Sequence, residues 1–229
     1  MQGPKSGVGS AQKSGADTVT GTVVIVDDDP SVREALSRLA RSVGLDAKVM
    51  ASVPEFLDSG RPEGPTCVVL DVRLPGGSGL DVQRKLSAAN IHLPIIFITG
   101  HGDIPMSVQA MKGGAIGFLT KPFREQDLLD AIRLGLSRDR AWRDKERALA
   151  ALRERFETLT AREQEVMVHV VKGRLNKLTA NDLGITETTV KVHRGQVMRK
   201  MKASSLLDLV QMADDLKLMP GKAQRPGQE

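Results

Sequence analysis

Cys67–Leu80 reads CVVLDVRLPGGSGL: an apolar run ending on a carboxylate, Asp71, then a Pro-Gly-Gly loop and a serine, Ser78, placed to cap a helix. A short run without polar alternation fits a strand buried on both faces. A carboxylate at the end of such a strand is presented where the loops and helix N-termini of an open parallel sheet converge, which is where ligands bind.

The pattern repeats on either side. Apolar runs ending near Val26, Met50, Leu70, Ile98 and Leu119 are each followed by a helix-like segment. Five such units predict an α/β doubly wound, five-stranded parallel sheet covered on both faces. Asp29-Pro30 opens the first helix with a cap and a first-turn proline, and Ser78 caps the helix through Ala89. With strand order 2-1-3-4-5, strands one and three adjoin, so Asp27 and Asp28 lie beside Asp71. Three converging carboxylates repel one another unless a cation is shared, and hard oxygen ligands favour Mg²⁺. Thr99 ends the fourth strand with a hydroxyl, and Lys121 follows the fifth with an ammonium. Singly, these residues read as a capping turn, a loop and a surface charge. Jointly, at carboxyl ends of consecutive predicted strands, they form a phosphoryl-accepting constellation.

Beyond Lys121-Pro122-Phe123 a long helical stretch carries Leu128, Leu129, Ile132 and Leu136 as an apolar stripe, then turns strongly charged from Ser137 to Arg147. Leu149, Leu152, Phe156 and Leu159 resume apolar spacing, suiting a helical linker over 141–157. The expected organisation is a disordered tail over 1–20, an α/β domain over 21–140, the linker, an all-α domain over 158–218 and a second tail over 219–229. In the all-α part Thr160-x-x-Glu163 is a capping box whose helix turns Val166, Val170 and Val171 inward. Helices follow over Asn176 to Leu183, from Thr186 to about Met201, and over Ser205 to Leu218. Ala180, Gly184 and Ile185 suit a helix-turn-helix: a small residue at a close crossing, a glycine in the turn, an apolar anchor. In the next helix Val190, Val197 and Met201 point inward, while Lys191, Arg194 and Arg199 point outward with Thr188, as a helix entering a major groove requires.

Charge agrees. The net charge is +5, but 21–143 balances at 15 basic against 15 acidic residues, and Thr188–Lys202 has five Lys or Arg and no acid. Five Phe, one Trp and no Tyr argue against aromatic stacking on single strands. One cysteine excludes an internal disulfide, and Cys67 lies in an apolar strand, so it reads as a buried hydrophobe. No apolar run approaches the roughly 20 residues of a membrane helix, and the N-terminus lacks the apolar core of a signal peptide. A cytoplasmic protein with no membrane partner is expected.

VVIVDDDP, VVLDVRLPGGSGLD, IIFITGHGD and GAIGFLTKPF resemble the receiver domain of two-component response regulators, a flavodoxin-like fold. LTAREQEV, Asn176-Lys177, LGITETTVKVHRGQVMRKM and ASSLLDLVQMADDL resemble the LuxR-type output domain. The joint arrangement is similar to the NarL/FixJ class, and GDIPMSVQAMKGGAIGFLTKPF favours its FixJ branch. The resemblance implies Asp71 as phosphoacceptor for a sensor histidine kinase, Mg²⁺ held by Asp28, Asp71 and the Arg73 carbonyl with Asp27 supporting it through water, and Thr99 and Lys121 on the phosphoryl oxygens. It implies Thr99 and Phe118 as the switch pair, a cis Lys121-Pro122 bond, and homodimerisation on phosphorylation through a face including Ile104, Met106, Val108 and Met111. Double-stranded DNA would meet Thr188, Lys191, Val192, His193, Arg194 and Arg199, and RNA polymerase is a candidate further partner. Thr179 stands where the family usually has an apolar residue. Arg73 and His101 occupy variable positions beside the site, and His101 reads either as a general base for hydrolysis or as a surface residue.

Two other readings stand beside this one. A Mg²⁺-dependent phosphohydrolase could use Asp71 as nucleophile, although Arg73 occupies the place where a second catalytic carboxylate is expected. A receiver acting only by protein contacts is disfavoured by the basic helix.

Overall fold

The computed structural model describes residues 20–218; apart from Thr20, both expected tails lie outside them. The described residues divide into two units, the first ending at Arg143 and the second beginning at Asp144.

In the first unit, β1 (Thr22–Val26), β2 (Asp46–Met50), β3 (Thr66–Asp71), β6 (Ile95–Thr99) and β7 (Gly117–Thr120) form one parallel sheet in the order β2-β1-β3-β6-β7. This is the expected 2-1-3-4-5 order once a small antiparallel hairpin, β4 (Arg73–Leu74) with β5 (Gly77–Ser78), is set apart. The helices are α1 (Pro30–Ser42), α2 (Val53–Asp58), α3 (Gly79–Ala88), α4 (Ile104–Lys112) and the first part of α5 (Glu125–Glu157).

Strand alternation sorts the side chains into two cores, one on each face. Val24, Val26, Val68, Leu70 and Phe97 pack with residues of α2, α3 and α4 such as Phe56, Leu80, Val82 and Ala110. Val23, Ile25, Cys67, Val69, Ile96 and Ile98 pack with Leu36 and Ala40 of α1 and Leu128, Ile132 and Leu136 of α5. Each large aliphatic side chain buried in this way contributes about 1.5–3 kcal/mol. Two glycines permit close approaches. A Cβ on Gly79 would lie 2.5 Å from the Asp71 carbonyl oxygen, and one on Gly135 would lie 2.5 Å from Cys67 Sγ. Asp29 and Ser78 cap α1 and α3 as their sequence implies, accepting from the N–H groups of Ser31 and Leu80.

The expected helical linker is not a separate element: α5 is one helix of 33 residues. Nothing between Ser137 and Arg147 breaks it, because that segment has no proline and its only nearby glycine, Gly135, lies within the helix. The charged segment is also less solvated than its composition suggests. Asp139 is fully buried and accepts from Arg61, from Thr66 N–H at 2.8 Å and from Arg143 Nε at 2.8 Å. Trp142 stacks on His92 with centroids 5.0 Å apart, and Arg61 lies over the Trp142 ring at 4.8 Å.

In the second unit, Leu152 and Leu159 join Val166, Val170, Ala180, Val190, Val197, Met201 and Leu209 in a single core, with Phe156 packed against it. The helices are α6 (Ala161–Val171), α7 (Asn176–Leu183), α8 (Glu187–Met201) and α9 (Leu206–Asp215). The capping box on α6 is complete: Thr160 Oγ1 accepts from Glu163 N–H at 3.3 Å, and Glu163 accepts from Thr160 N–H at 2.7 Å. Gly184 ends α7 with φ +65°, a left-handed conformation that favours glycine. Thr179 is fully buried, and its Oγ1 has no hydrogen-bond partner among the described residues.

Candidate phosphoryl-acceptor site and DNA-facing helix

Because β1 and β3 are neighbours in register, Val26 opposite Leu70, the residues that follow them meet at one end of the sheet. Asp27, Asp28 and Asp71 each offer a carboxylate oxygen within 4.8 Å of the others. Asp27 is fully buried, Asp71 nearly so, and Asp28 is exposed. Such all-oxygen donors fit a divalent cation of the hard class.

Lys121 reaches into this cluster. Its Nζ lies 2.6 Å from Asp27 Oδ2 and 2.7 Å from Asp71 Oδ2, while its backbone N–H donates to the Thr99 carbonyl at 2.7 Å. The Lys121-Pro122 bond is cis. Asp71 Oδ1 accepts from Arg73 N–H at 2.9 Å, and Asp27 Oδ1 accepts from Asp29 N–H at 3.0 Å. These bonds fix both carboxylates. Burial pushes the Asp27 carboxyl above its usual range, which its bonds to Lys121 and Asp29 only partly offset. Burial acts to lower Lys121, but the hydrogen bonds and charges of Asp27 and Asp71 outweigh it and hold the ammonium above its usual value.

Thr99 is buried, and its Oγ1 accepts from His101 N–H at 3.2 Å. Phe118 is partly buried, tilted against Phe97 with centroids 6.4 Å apart. Sequence reasoning missed two residues here. Arg33 Nη1 donates to the Asp27 carbonyl at 2.7 Å, holding the loop after β1 against α1. A Cβ on Gly102 would come within 2.9 Å of Phe118 and Thr120 and 3.0 Å of Thr99, so a glycine lets this loop lie on both members of the expected switch pair. The signal was the second glycine of the GHGD segment, but a loop glycine read locally does not disclose neighbours in β6 and β7.

Of the four residues expected on a dimer face, Ile104, Val108 and Met111 are exposed along α4, whereas Met106 packs toward the core. The reason is helical phase: 104, 108 and 111 share one stripe, and 106 lies across from it.

In the second unit, Thr188, Lys191, Val192 and Arg199 are exposed on α8. His193 and Arg194 are half-buried, and Arg194 Nη1 donates to Asn176 Oδ1 at 3.3 Å, tying α8 to α7. Lys200, counted in the basic run, turns away to Glu163 at 2.6 Å and the Thr158 carbonyl at 3.1 Å.

The model for the response regulator receiver domain matches residues 23–133, and that for bacterial regulatory proteins of the luxR family matches residues 157–213. The chain is 55% identical over 194 residues to Nodulation protein W of Bradyrhizobium diazoefficiens, spanning 85% of this chain and 86% of that protein. The chain belongs to the NarL/FixJ class of two-component response regulators. The regulator is also 44% identical over 191 residues to the transcriptional regulatory protein FixJ of Azorhizobium caulinodans, across 83% of this chain and 90% of the relative. The solved structure of the response regulator StyR matches it with TM-score 0.76 and 48% identity, over 85% of this chain and 98% of that one.

Membership in a family of transcriptional regulators favours a switch over a phosphohydrolase. A receiver domain implies a sensor histidine kinase as partner, and a LuxR-type domain implies DNA binding. No helix among the described residues is long and apolar enough to cross a membrane.

Proposed function

We propose that this response regulator accepts a phosphoryl group on Asp71 from a histidine kinase, dimerises in response, and regulates transcription from double-stranded DNA bound by α8. The observation that carries this reading is the Lys121 ammonium bridging Asp27 and Asp71 with Asp28 alongside. An Asp71 oxygen attacks phosphorus, the O–P bond forms as the P–N bond to the kinase histidine breaks, and that imidazole leaves with a proton from solvent. Asp28, Asp71 and the Arg73 carbonyl would hold Mg²⁺, with Asp27 supporting it through water, and the cation would offset the charge of the incoming phosphoryl group. Lys121 donates to one phosphoryl oxygen and Thr99 to another, drawing Thr99 and Phe118 into the switched state. Ile104, Val108 and Met111 supply apolar surface for the dimer. Thr188, Lys191, Val192 and Arg199 face base edges and phosphates in the major groove, Arg194 and His193 support them, and RNA polymerase is a candidate partner of the bound dimer.

The receiver is assigned to 21–140, the linker to 141–157, the output domain to 158–218, and the protein to the cytoplasm. The test is labelling with a small acyl phosphate and Mg²⁺, read by intact mass alongside sedimentation. The wild type gains one phosphoryl group and shifts toward dimer. A wild type that gains none, or gains it without change of mass in sedimentation, overturns the corresponding half of the reading.

A further inference from the structure

A glycine stands in the middle of the DNA-facing helix, and nothing in the folded protein asks for it. Gly195 lies eight residues into the 15-residue α8. Its φ is not positive, and a Cβ built there meets nothing within 4 Å, so neither backbone conformation nor packing excludes a side chain. Glycine is nonetheless the poorest interior helix former after proline, because it has the most backbone freedom to lose.

Its position on the helix is informative. At about 100° per residue, Thr188, Lys191, Val192, Gly195 and Arg199 fall within an arc of roughly 100°, with Gly195 near its middle. All five are exposed, and Val192 shows 57% of its surface. The stripe thus has polar, cationic and apolar side chains on either side of a bare stretch of backbone. The α8 face is locally basic, and its neighbouring cations are held loosely: Lys191 pairs with Glu187 at 3.2 Å within the same helix, and Arg199 donates to Gln196. Each can exchange that partner for a phosphate.

We infer that Gly195 is a specificity-determining residue: its missing side chain lets the α8 backbone approach the major-groove floor of duplex DNA, so that Lys191, Val192 and Thr188 reach base edges. Glycine serves where backbone must come close to a ligand, and duplex DNA is the ligand whose charge matches this face. A side chain at 195 props the helix away from the bases while leaving the phosphate contacts of the longer cations in place. It therefore lowers sequence preference more than total affinity. The inference rests on the assignment of α8 as the recognition helix.

The probe is a duplex selected by the wild-type full chain from a randomised pool, compared with an unselected duplex of equal length at one salt concentration. Gly195→Ala is expected to weaken binding to the selected duplex about fivefold, and Gly195→Leu at least fiftyfold, with less than a threefold change on the unselected duplex. Both variants should melt no lower than the wild type. Lys191→Ala is the control. If Lys191→Ala weakens selected binding about tenfold while Gly195→Leu keeps the wild-type affinity and preference, the inference fails and the recognition helix stands. If Lys191→Ala changes neither duplex, the assignment of α8 fails and takes the inference with it.

Discussion

Two lysines, Lys121 in the first unit and Lys200 in the second, are held in nearly the same way. Lys121 Nζ is 2.6 Å from Asp27 and 2.7 Å from Asp71, and Lys200 Nζ is 2.6 Å from Glu163. Their side chains are 24% and 25% exposed. The difference is stoichiometry. Lys121 pairs with two carboxylates of a cluster of three, which leaves a surplus of negative charge open to solvent through Asp28. Lys200 faces one, whose second task is to accept from Thr160 N–H. Surplus charge at a strand end asks for a cation and a reaction, whereas balanced charge at a helix cap asks only to be left in place. Burial alone does not separate a functional ion pair from a structural one.

The largest effect expected from this contrast is at Asp71. Asp71→Asn keeps the shape of the site and an acceptor for Arg73 N–H while removing the nucleophile. Phosphoryl labelling should vanish with the melting temperature changed little. A variant labelled at full stoichiometry on the same site would end the assignment.

Lys121→Ala tests the surplus directly. Without the ammonium, Asp27 and Asp71 face each other unneutralised, which costs about 2 kcal/mol of stability in metal-free buffer. Millimolar Mg²⁺ should raise the melting temperature of this variant more than that of the wild type. Equal Mg²⁺ responses in thermal melts would mean that the cation does not share the lysine's carboxylates.

These contrasts were unevenly legible in the sequence. The sheet and the Asp27, Asp28, Asp71 and Lys121 cluster could be read because the central strands β1, β3 and β6, buried on both faces, leave continuous apolar runs, and the site residues follow at strand ends. The capping box could be read because both its members lie within four residues. Lys200 and Asp139 could not. Each takes its meaning from a partner far along the chain: Glu163 is 37 positions from Lys200, and Arg61 is 78 positions from Asp139. Locally each looks like one more charge on a solvated helix. The β4–β5 hairpin escaped because two-residue strands carry no periodicity. Met106 carries the same apolar signal as Ile104, Val108 and Met111, and only helical phase separates it from them.

Glu163→Gln is the second unit's counterpart. The variant keeps the capping geometry but leaves Lys200 half-buried without a countercharge, at a cost of about 1–2 kcal/mol near neutral pH. Burial works to raise the Glu163 carboxyl, but the bonds to Lys200 and Thr160 and the lysine's charge outweigh it and hold it below its ordinary value of 4.5. A depressed carboxyl contributes stability that is fully present above about pH 4.5 and is lost as pH falls through the lower folded-state value. The gap between wild type and Glu163→Gln should therefore be widest near pH 7 and close in acid, with no dependence on Mg²⁺. A gap that widens in acid would contradict the pairing.

The smallest effect lies in the same unit and runs the other way. Thr179 fills a fully buried position on α7, and its hydroxyl finds no partner among the described residues. A buried hydroxyl that has surrendered water without gaining a hydrogen bond is a standing cost, and valine has nearly the same shape without it. Thr179→Val should stabilise the protein by about 1 kcal/mol, a rise of about 4 °C for a unit of this size. Because Thr179 is buried on α7 and belongs neither to the carboxylate cluster nor to the exposed residues of α8, labelling and DNA affinity should stay at wild-type levels. A fall in melting temperature would show that the hydroxyl is satisfied after all, and that Thr179 belongs with Lys200 among the polar groups balanced by the fold.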